Sequence, residues 1–411
     1  MKKFILIGTI FLVIPLLSCN KEVIQKENPE LIFVDSRKAA DLIEADTKFG
    51  LDLFRQVLIM PEVPENVMIS PLSVAMALGM TYNGAAGETK TAFEETLRLN
   101  GFTRDEINNI HKTLLLYLLE ADPKVVLEIA NSIWYSQDFE VLKSFIDTNR
   151  LYYQAEVKDL NFSAPGAKDI INNWVALKTH DKIKDILDVI PPDAVMYLIN
   201  AIYFNGMWTY KFDAKDTYNS AFTKEDQSTA QIDYMKMEGD TYYLNNDLFS
   251  AVELSYGNKK FSMCFILPHE DKVIADVLNL LTLENYSSWM TELTEKTVEV
   301  NIPKFKFGFK ELLNNPLMDM GLDVAFSGMA DFTGINPEGD LFISRVIHQS
   351  FVDVNELGTE AAAATVVEIS RTSIPLVTVF KADRPFLFVI REKSSNAILF
   401  MGKVGLPEYG D

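Results

Sequence analysis

Hydrophobic positions in the first part of the chain recur with helical spacing. Over residues 39–58, Leu42, Ile43, Phe49, Leu53, Phe54 and Val57 share one face, which predicts an amphipathic helix. The run ISPLSVAMALGMTYNGAAGETK, residues 69–90, predicts a second helix, entered through Ser70 with Pro71 in its first turn and ended by Gly84 and Gly87. Small and apolar residues on all of its sides mark that helix as buried. Strand-like runs then take over at 125–135, 198–204, 261–267, 298–302 and 386–390. In the VEVNI run at 298–302 the alternation is clean, so one face is expected to be covered and the other polar. LINAIYF and FSMCFIL are apolar on both faces and are expected to be central strands. Helices cluster early and strands late, without a regular βαβ beat or an internal linker, which predicts a single α+β domain.

Composition narrows the function. The 411 residues, 48% apolar and 23% charged, describe a globular chain long enough for a large core. A net charge of −20 argues against nucleic acid, whose phosphates require Lys and Arg patches, and against electrostatic adhesion to anionic lipid.

The first residues carry an address. Lys2 and Lys3 precede an apolar run ending at Leu17, then Ser18 and Cys19. The run has signal-peptide flanks and is short for a bilayer span. LLSC resembles a bacterial lipobox, which implies acylation of Cys19 and a membrane contact made only through that lipid. Asn20 in the next position resembles outer-membrane sorting patterns. The expected division is a signal peptide at 1–18, a lipidated tether at 19–36 and the folded domain at 37–411. Cys264, inside FSMCFILP, then has no partner for a disulfide and reads as a buried small hydrophobe.

Catalytic patterns are missing. The four histidines, His111, His180, His269 and His348, form no zinc-ligand pattern, and CxxC, GxSxG, Walker and GxGxxG motifs are absent. No enzyme activity, metal or cofactor is expected.

The stretch GTEAAAATVVEISRTSIP, residues 358–375, is unusual for its place near the end of the chain. Its alanines favour helix, whereas Thr365, Val366, Val367 and Ile369 favour strand. Written as a strand, one face carries Thr359, Ala361, Ala363, Thr365, Val367 and Ile369, and the other carries both Glu360 and Glu368. The charge-free face suits a core, Gly358 allows a bend at the base, and Pro375 excludes helix beyond the polar Arg371, Thr372 and Ser373. Pattern alone leaves two readings open: a permanent strand or helix in the core, or a segment able to change its state.

Here the chain resembles the serpins. VNELGTEAAAAT is similar to the hinge of an inhibitory member's reactive-centre loop, and ISPLSVAMAL to the family's early buried helix. INNWVALKTHDKIKDIL at 171–187 resembles its helix-F segment, LINAIYFNGMW its central strand, and FKADRPFLFVI with ILFMGKV the segment after the loop. The likeness covers nearly the whole chain after the tether. It implies one domain with a large mixed sheet, two smaller sheets, about nine helices and an exposed loop. It further implies a monomeric suicide inhibitor of serine proteases, extending to some cysteine proteases, which traps its target as an acyl-enzyme while the cut loop enters the main sheet.

Residue by residue, the resemblance implies a hinge at Gly358, Thr359, Glu360, Ala361, Ala362, Ala363, Ala364 and Thr365. The scissile bond falls at Thr372-Ser373, with Arg371 as the P1 residue if the register slips by one. Thr372 suits elastase-like pockets and Arg371 trypsin-like ones, so broad specificity is expected. Trp208, Lys304 and Glu356 match the family's breach, with an exposed ion pair expected; Ser70, Ser73, Asn200 and His348 match its shutter. The alternatives are a non-inhibitory carrier or chaperone of the same family, and, from another class, an anchored adhesin or hydrolase.

Overall fold

The computed structural model describes residues 37–359 and 377–410. Helix α1 (Arg37–Leu58) buries Leu42, Ile43, Phe49, Leu53, Phe54 and Val57, the residues that set its period. The second helix is shorter than its apolar run. Ile69 instead ends strand β1 (Asn66–Ile69), where it pairs with Met401. Ser70 caps α2 (Pro71–Tyr82) by accepting the Ser73 N–H, and Pro71 occupies a first-turn position where no N–H donor is needed. The chain breaks at Gly84, where a Cβ would come within 2.1 Å of the Ile335 side chain. Gly87, at φ +50°, opens α3 (Gly87–Thr96) and so begins a helix where the sequence pattern placed an end.

Helix α4 (Arg104–Glu120) starts on a capping box formed by Thr103 and Glu106. Strand β2 (Val125–Ser136), α5 (Lys143–Tyr153), β3 (Glu156–Leu160) and α6 (Ala167–Lys178) follow. The helix expected from the 171–187 resemblance therefore stops early. His180 and Asp181 take positive φ, which a helix does not accommodate, and Asn172 exchanges two hydrogen bonds with the backbone of Leu187 across the segment that follows. Helices α7 (Ile274–Asn279), α8 (Leu283–Glu292) and α9 (Asn314–Leu317) bring the α-helices among the described residues to nine.

Two sheets hold the strands. The first is mixed and six-stranded, in the order β10 (Phe305–Leu312), β11 (Ile347–Asn355), β12 (Gly358–Thr359), β4 (Met196–Met207), β2, β3. The second runs β1, β15 (Ile398–Val404), β14 (Phe386–Glu392), β8 (Phe261–Pro268), β7 (Phe249–Ser255), β6 (Thr229–Asn245), β9 (Thr294–Pro303), β13 (Thr378–Lys381), with β5 (Tyr218–Thr223) also on β6. The two smaller sheets are contiguous because the long β6 serves both, pairing with β5 at its start and with β7 at its end. Every residue of β8 is buried, as its two-sided apolar run requires. In β9, Val298, Val300 and Ile302 face the core as predicted, but Asn301 on the other face is buried too and accepts a hydrogen bond from the Tyr218 hydroxyl.

The six-stranded sheet is covered on both faces. The main core takes Ile133, Ile202, Phe204, Val352 and Val354 from one face, together with the early helices and the second sheet. A smaller cluster of Trp134, Ile199 and Ala201 packs under Ile171, Trp174 and Val175 of α6 on the other. β4 is central, as its run predicted, yet Leu198, on the main-core face, and Tyr203, on the face toward α6, are only half-buried. Cys264 lies buried in β8, and burial pushes its thiol up, as expected of a small hydrophobe.

Candidate functional site

At the end of β11 the chain reverses. Asn355 pairs with Gly358 and Val354 with Thr359, while on its other side β12 pairs with Met207 and Gly206 of β4. β12 is antiparallel to both neighbours, so β4 and β11 run parallel, and among the described residues no pairing joins them directly. Gly358 has φ +152°, and a Cβ there would sit 2.1 Å from the Gly206 carbonyl oxygen, so this position needs glycine on both conformational and steric grounds. Thr359 turns its side chain into the core, its hydroxyl 2.7 Å from the Tyr256 hydroxyl.

Trp208, Lys304 and Glu356 meet around this reversal. Trp208 stacks on Tyr256 with ring centroids 4.4 Å apart, donates from its indole to the Asn355 carbonyl and from its backbone to the Leu357 carbonyl. Glu356 lies 3.2 Å from the Lys304 ammonium and accepts from the Thr217 hydroxyl at 2.9 Å. The pair is not exposed, contrary to expectation: the side chains retain 19% and 13% of their accessible surface, because the turn folds them under the sheet's end. Burial would raise the Glu356 carboxyl, but its own backbone N–H, Thr217 and Lys304 together hold it below the usual range.

Ser70, Ser73, Asn200 and His348 also assemble, at the start of α2. The Ser70 N–H donates to His348 Nε2 at 3.2 Å, and the Ser73 hydroxyl donates to the Asn200 side-chain carbonyl. The first turn of α2 thus holds one residue of β11 and one of β4, the two strands that flank β12. A cavity of about 130 Å³ lies beside it, lined by Ser73, Leu78, Leu198, Asn200, Leu341 and His348 among others.

A family model described as "Serpin (serine protease inhibitor)" matches residues 44–407. The chain belongs to the serpin family. An uncharacterized serpin-like protein of Methanosarcina acetivorans is 35% identical over 419 aligned residues, covering 95% of this chain and 94% of the relative. Human serpin I2 is 31% identical over 385 residues, covering 92% and 95%. Of solved structures, tengpin, a thermophilic serpin in its native state, has a TM-score of 0.82 at 32% identity, with 89% of this chain and 94% of that one covered. Human thyroxine-binding globulin with thyroxine bound also reaches 0.82, at 28% identity, covering 90% and 100%. The large mixed sheet, the smaller sheets and the nine helices are those of the serpin fold, whose members are in general protease inhibitors rather than enzymes.

Two residues that sequence reasoning passed over extend the cluster of Ser70, Ser73, Asn200 and His348. Asn131 lies opposite Asn200 in register, accepts from its amide at 2.6 Å and donates to the Tyr153 carbonyl at 2.7 Å. Ser350 donates to the Met68 carbonyl at 2.6 Å. Nothing in the strand pattern set them apart, since Asn131 adjoins Ser132 and Ser350 follows His348 and Gln349. Tyr409, over Lys304 at 4.3 Å, was equally unmarked. Cys19, Glu360, Ala361, Ala362, Ala363, Ala364, Thr365, Arg371, Thr372 and Ser373 lie outside the described residues.

His348 gives a testable pH dependence. Burial lowers its pKa from the ordinary 6.5 to about 4, so the imidazole is neutral and free to accept the Ser70 N–H at pH 7. Between pH 6.5 and 4 the unfolded chain binds the proton more readily than the folded one, so stability is complete above that window and falls as pH drops through it. The two pKa values correspond to a loss of about 3 kcal/mol at the acid end. His348→Asn should show a shallower fall in unfolding midpoint between pH 7 and 4.5 than the parent; parallel pH profiles would contradict the assignment.

Proposed function

We propose that this serpin inhibits serine proteases as a suicide substrate, its cut loop entering the six-stranded sheet between β4 and β11. The observation that carries the reading is the register of β12. Continued residue by residue, that register would set Ala361 between Phe204 and Val352, Ala363 between Ile202 and Ser350, and Thr365 between Asn200 and His348. These positions share the inward face of Thr359, and they are the charge-free face of the 358–370 pattern. β4 extends as far as Met196, opposite residue 369, so an inserted strand would run out just before Arg371 and Thr372.

The chemistry follows from one bond. The protease's serine oxygen attacks the Thr372 carbonyl carbon, the Thr372-Ser373 bond breaks, and the new Ser373 amine takes the proton and leaves. The ester to Thr372 remains, and insertion carries the protease away before water reaches it. Each backbone hydrogen bond formed on entry contributes about 1 kcal/mol net, and each buried apolar side chain adds to it, so a strand of this length suffices to make the step irreversible. Arg371 as an alternative P1 extends the targets from elastase-like to trypsin-like enzymes, and some cysteine proteases fit the same scheme. Cys19 is the lipid anchor in this reading, following a signal peptide at 1–18. The tether at 19–36 then holds the inhibitor at the outer membrane or cell surface.

The test uses soluble protein from residue 20 onwards with one protease of each type. A complex that survives denaturing gels is expected, with a released peptide starting at Ser373 for the elastase-like enzyme or at Thr372 for the trypsin-like one. Cleavage at these bonds without a complex would make the protein a substrate and reject the inhibitor reading.

A further inference from the structure

We propose that residues 405–409 form a clasp on the breach, with Tyr409 a positioning residue that keeps Lys304 on Glu356 and so slows insertion of the uncut loop. The segment is anchored at both ends. Asn66 accepts from the Gly405 and Leu406 N–H groups at 3.0 and 3.1 Å and donates to the Leu406 carbonyl at 2.7 Å. Pro407 is buried. The Glu408 carbonyl then accepts the Lys306 N–H at 2.7 Å, prolonging the backbone pairing on the outer side of β10.

This path delivers the Tyr409 ring to the Lys304 ammonium, 4.3 Å from the ring centroid, while Glu356's carboxylate lies 3.2 Å from the same ammonium. Asp353 and Asn355, the last residues of β11 before the reversal, neighbour the Tyr409 side chain. One aromatic side chain therefore covers the β9–β10 corner at Lys304, which in turn pairs with Glu356 just past the end of β11. Glu356 lies two residues before Gly358, where entry of the loop begins. The charges here balance: Lys304 faces Glu356, and Lys306 faces Asp353 at 3.9 Å. The ring adds an attraction for Lys304 that Glu356 does not supply, and it shields the pair from water. Holding Lys304 in place holds Glu356, and with it the turn that must rearrange before residues beyond Thr359 can follow into the sheet.

The inference rests on the loop-insertion reading, and the experiment separates the two. Uncut parent, Tyr409→Ala, Tyr409→Phe, Lys304→Met and the Tyr409→Ala/Lys304→Met double variant are held at a moderately raised temperature. The rate at which monomer loses inhibitory capacity and becomes heat-resistant is followed. Tyr409→Ala should convert roughly two- to fivefold faster, the range expected of a cation–π contact whose ring is 43% exposed. Tyr409→Phe, which keeps the ring, should stay near the parent, and the double variant should be no faster than Lys304→Met alone. A Tyr409→Ala rate equal to the parent's, or effects that simply add in the double variant, would overturn the clasp. Parent protein cut at 371–373 is heated alongside. If cutting brings it no gain in heat resistance, loop insertion itself fails and the clasp with it. If cutting stabilises it while Tyr409→Ala converts at the parental rate, only the clasp fails.

Discussion

On the proposed loop-insertion mechanism, Ala363→Arg is expected to turn this serpin from a protease trap into a mere substrate. In the register proposed for the inserted loop, residue 363 would lie between Ile202 and Ser350, both of which are buried. Inserting an arginine there places an unpaired charge among apolar side chains, at a cost of several kcal/mol. Each 1.4 kcal/mol added to the insertion barrier favours release of the protease about tenfold over trapping. The yield of stable complex per cleavage event should therefore fall by about a hundredfold or more, while the rate of cleavage at the loop stays unchanged. Glu360→Gln, which alternation sets on the opposite face of such a strand, should leave the yield near the parent's. The quantity to measure is the number of inhibitor molecules consumed per protease trapped. Equal values for Ala363→Arg and the parent would mean that the loop does not enter in this register.

The second large effect concerns stability rather than inhibition. Glu253 on β7 is 2% exposed, yet it is ionised among two cations. One carboxylate oxygen accepts from Arg391 Nε at 3.0 Å, from Arg391 Nη2 at 2.7 Å and from the Ser262 hydroxyl at 2.7 Å; the other lies 3.1 Å from the Lys393 ammonium. Burial raises the carboxyl's pKa, but Arg391 and Lys393 more than offset it, so the group stays below the usual carboxylate range. Glu253→Gln leaves the buried Arg391 facing a neutral amide and is expected to cost about 3–5 kcal/mol, read as a shift of the denaturant midpoint. Replacing both partners, as in Glu253→Leu with Arg391→Met, should recover part of that loss, since no orphaned charge remains. A single-variant loss below about 1 kcal/mol would show that the pair is exposed to water in solution. The sign with pH is that of a depressed carboxyl. Its contribution is present above the ordinary carboxylate range and is lost as pH falls through the lower, folded pKa.

Local pattern determined a good part of this protein. The six apolar residues that set the period of α1 are all buried, the strand runs at 125–135, 198–204, 261–267, 298–302 and 386–390 are all strands, and Thr359 faces the core as alternation from Gly358 required. A period of 3.6 or 2 reports which side of an element is covered, and that can be read from neighbours in the chain. What does the covering cannot. The break between α2 and α3 at Gly84 depends on Ile335, far along the chain, and no local rule separates a glycine that ends a helix from one that opens the next, as Gly87 does. Only the tertiary structure decided that Glu356 and Lys304 are largely sheltered, that Asn131 stands opposite Asn200, and that Tyr409 closes over Lys304. Each of these contacts joins residues that share no element and no repeat. Their energies come from desolvation and geometry that exist only once β4, β10 and β11 have come together around the hinge.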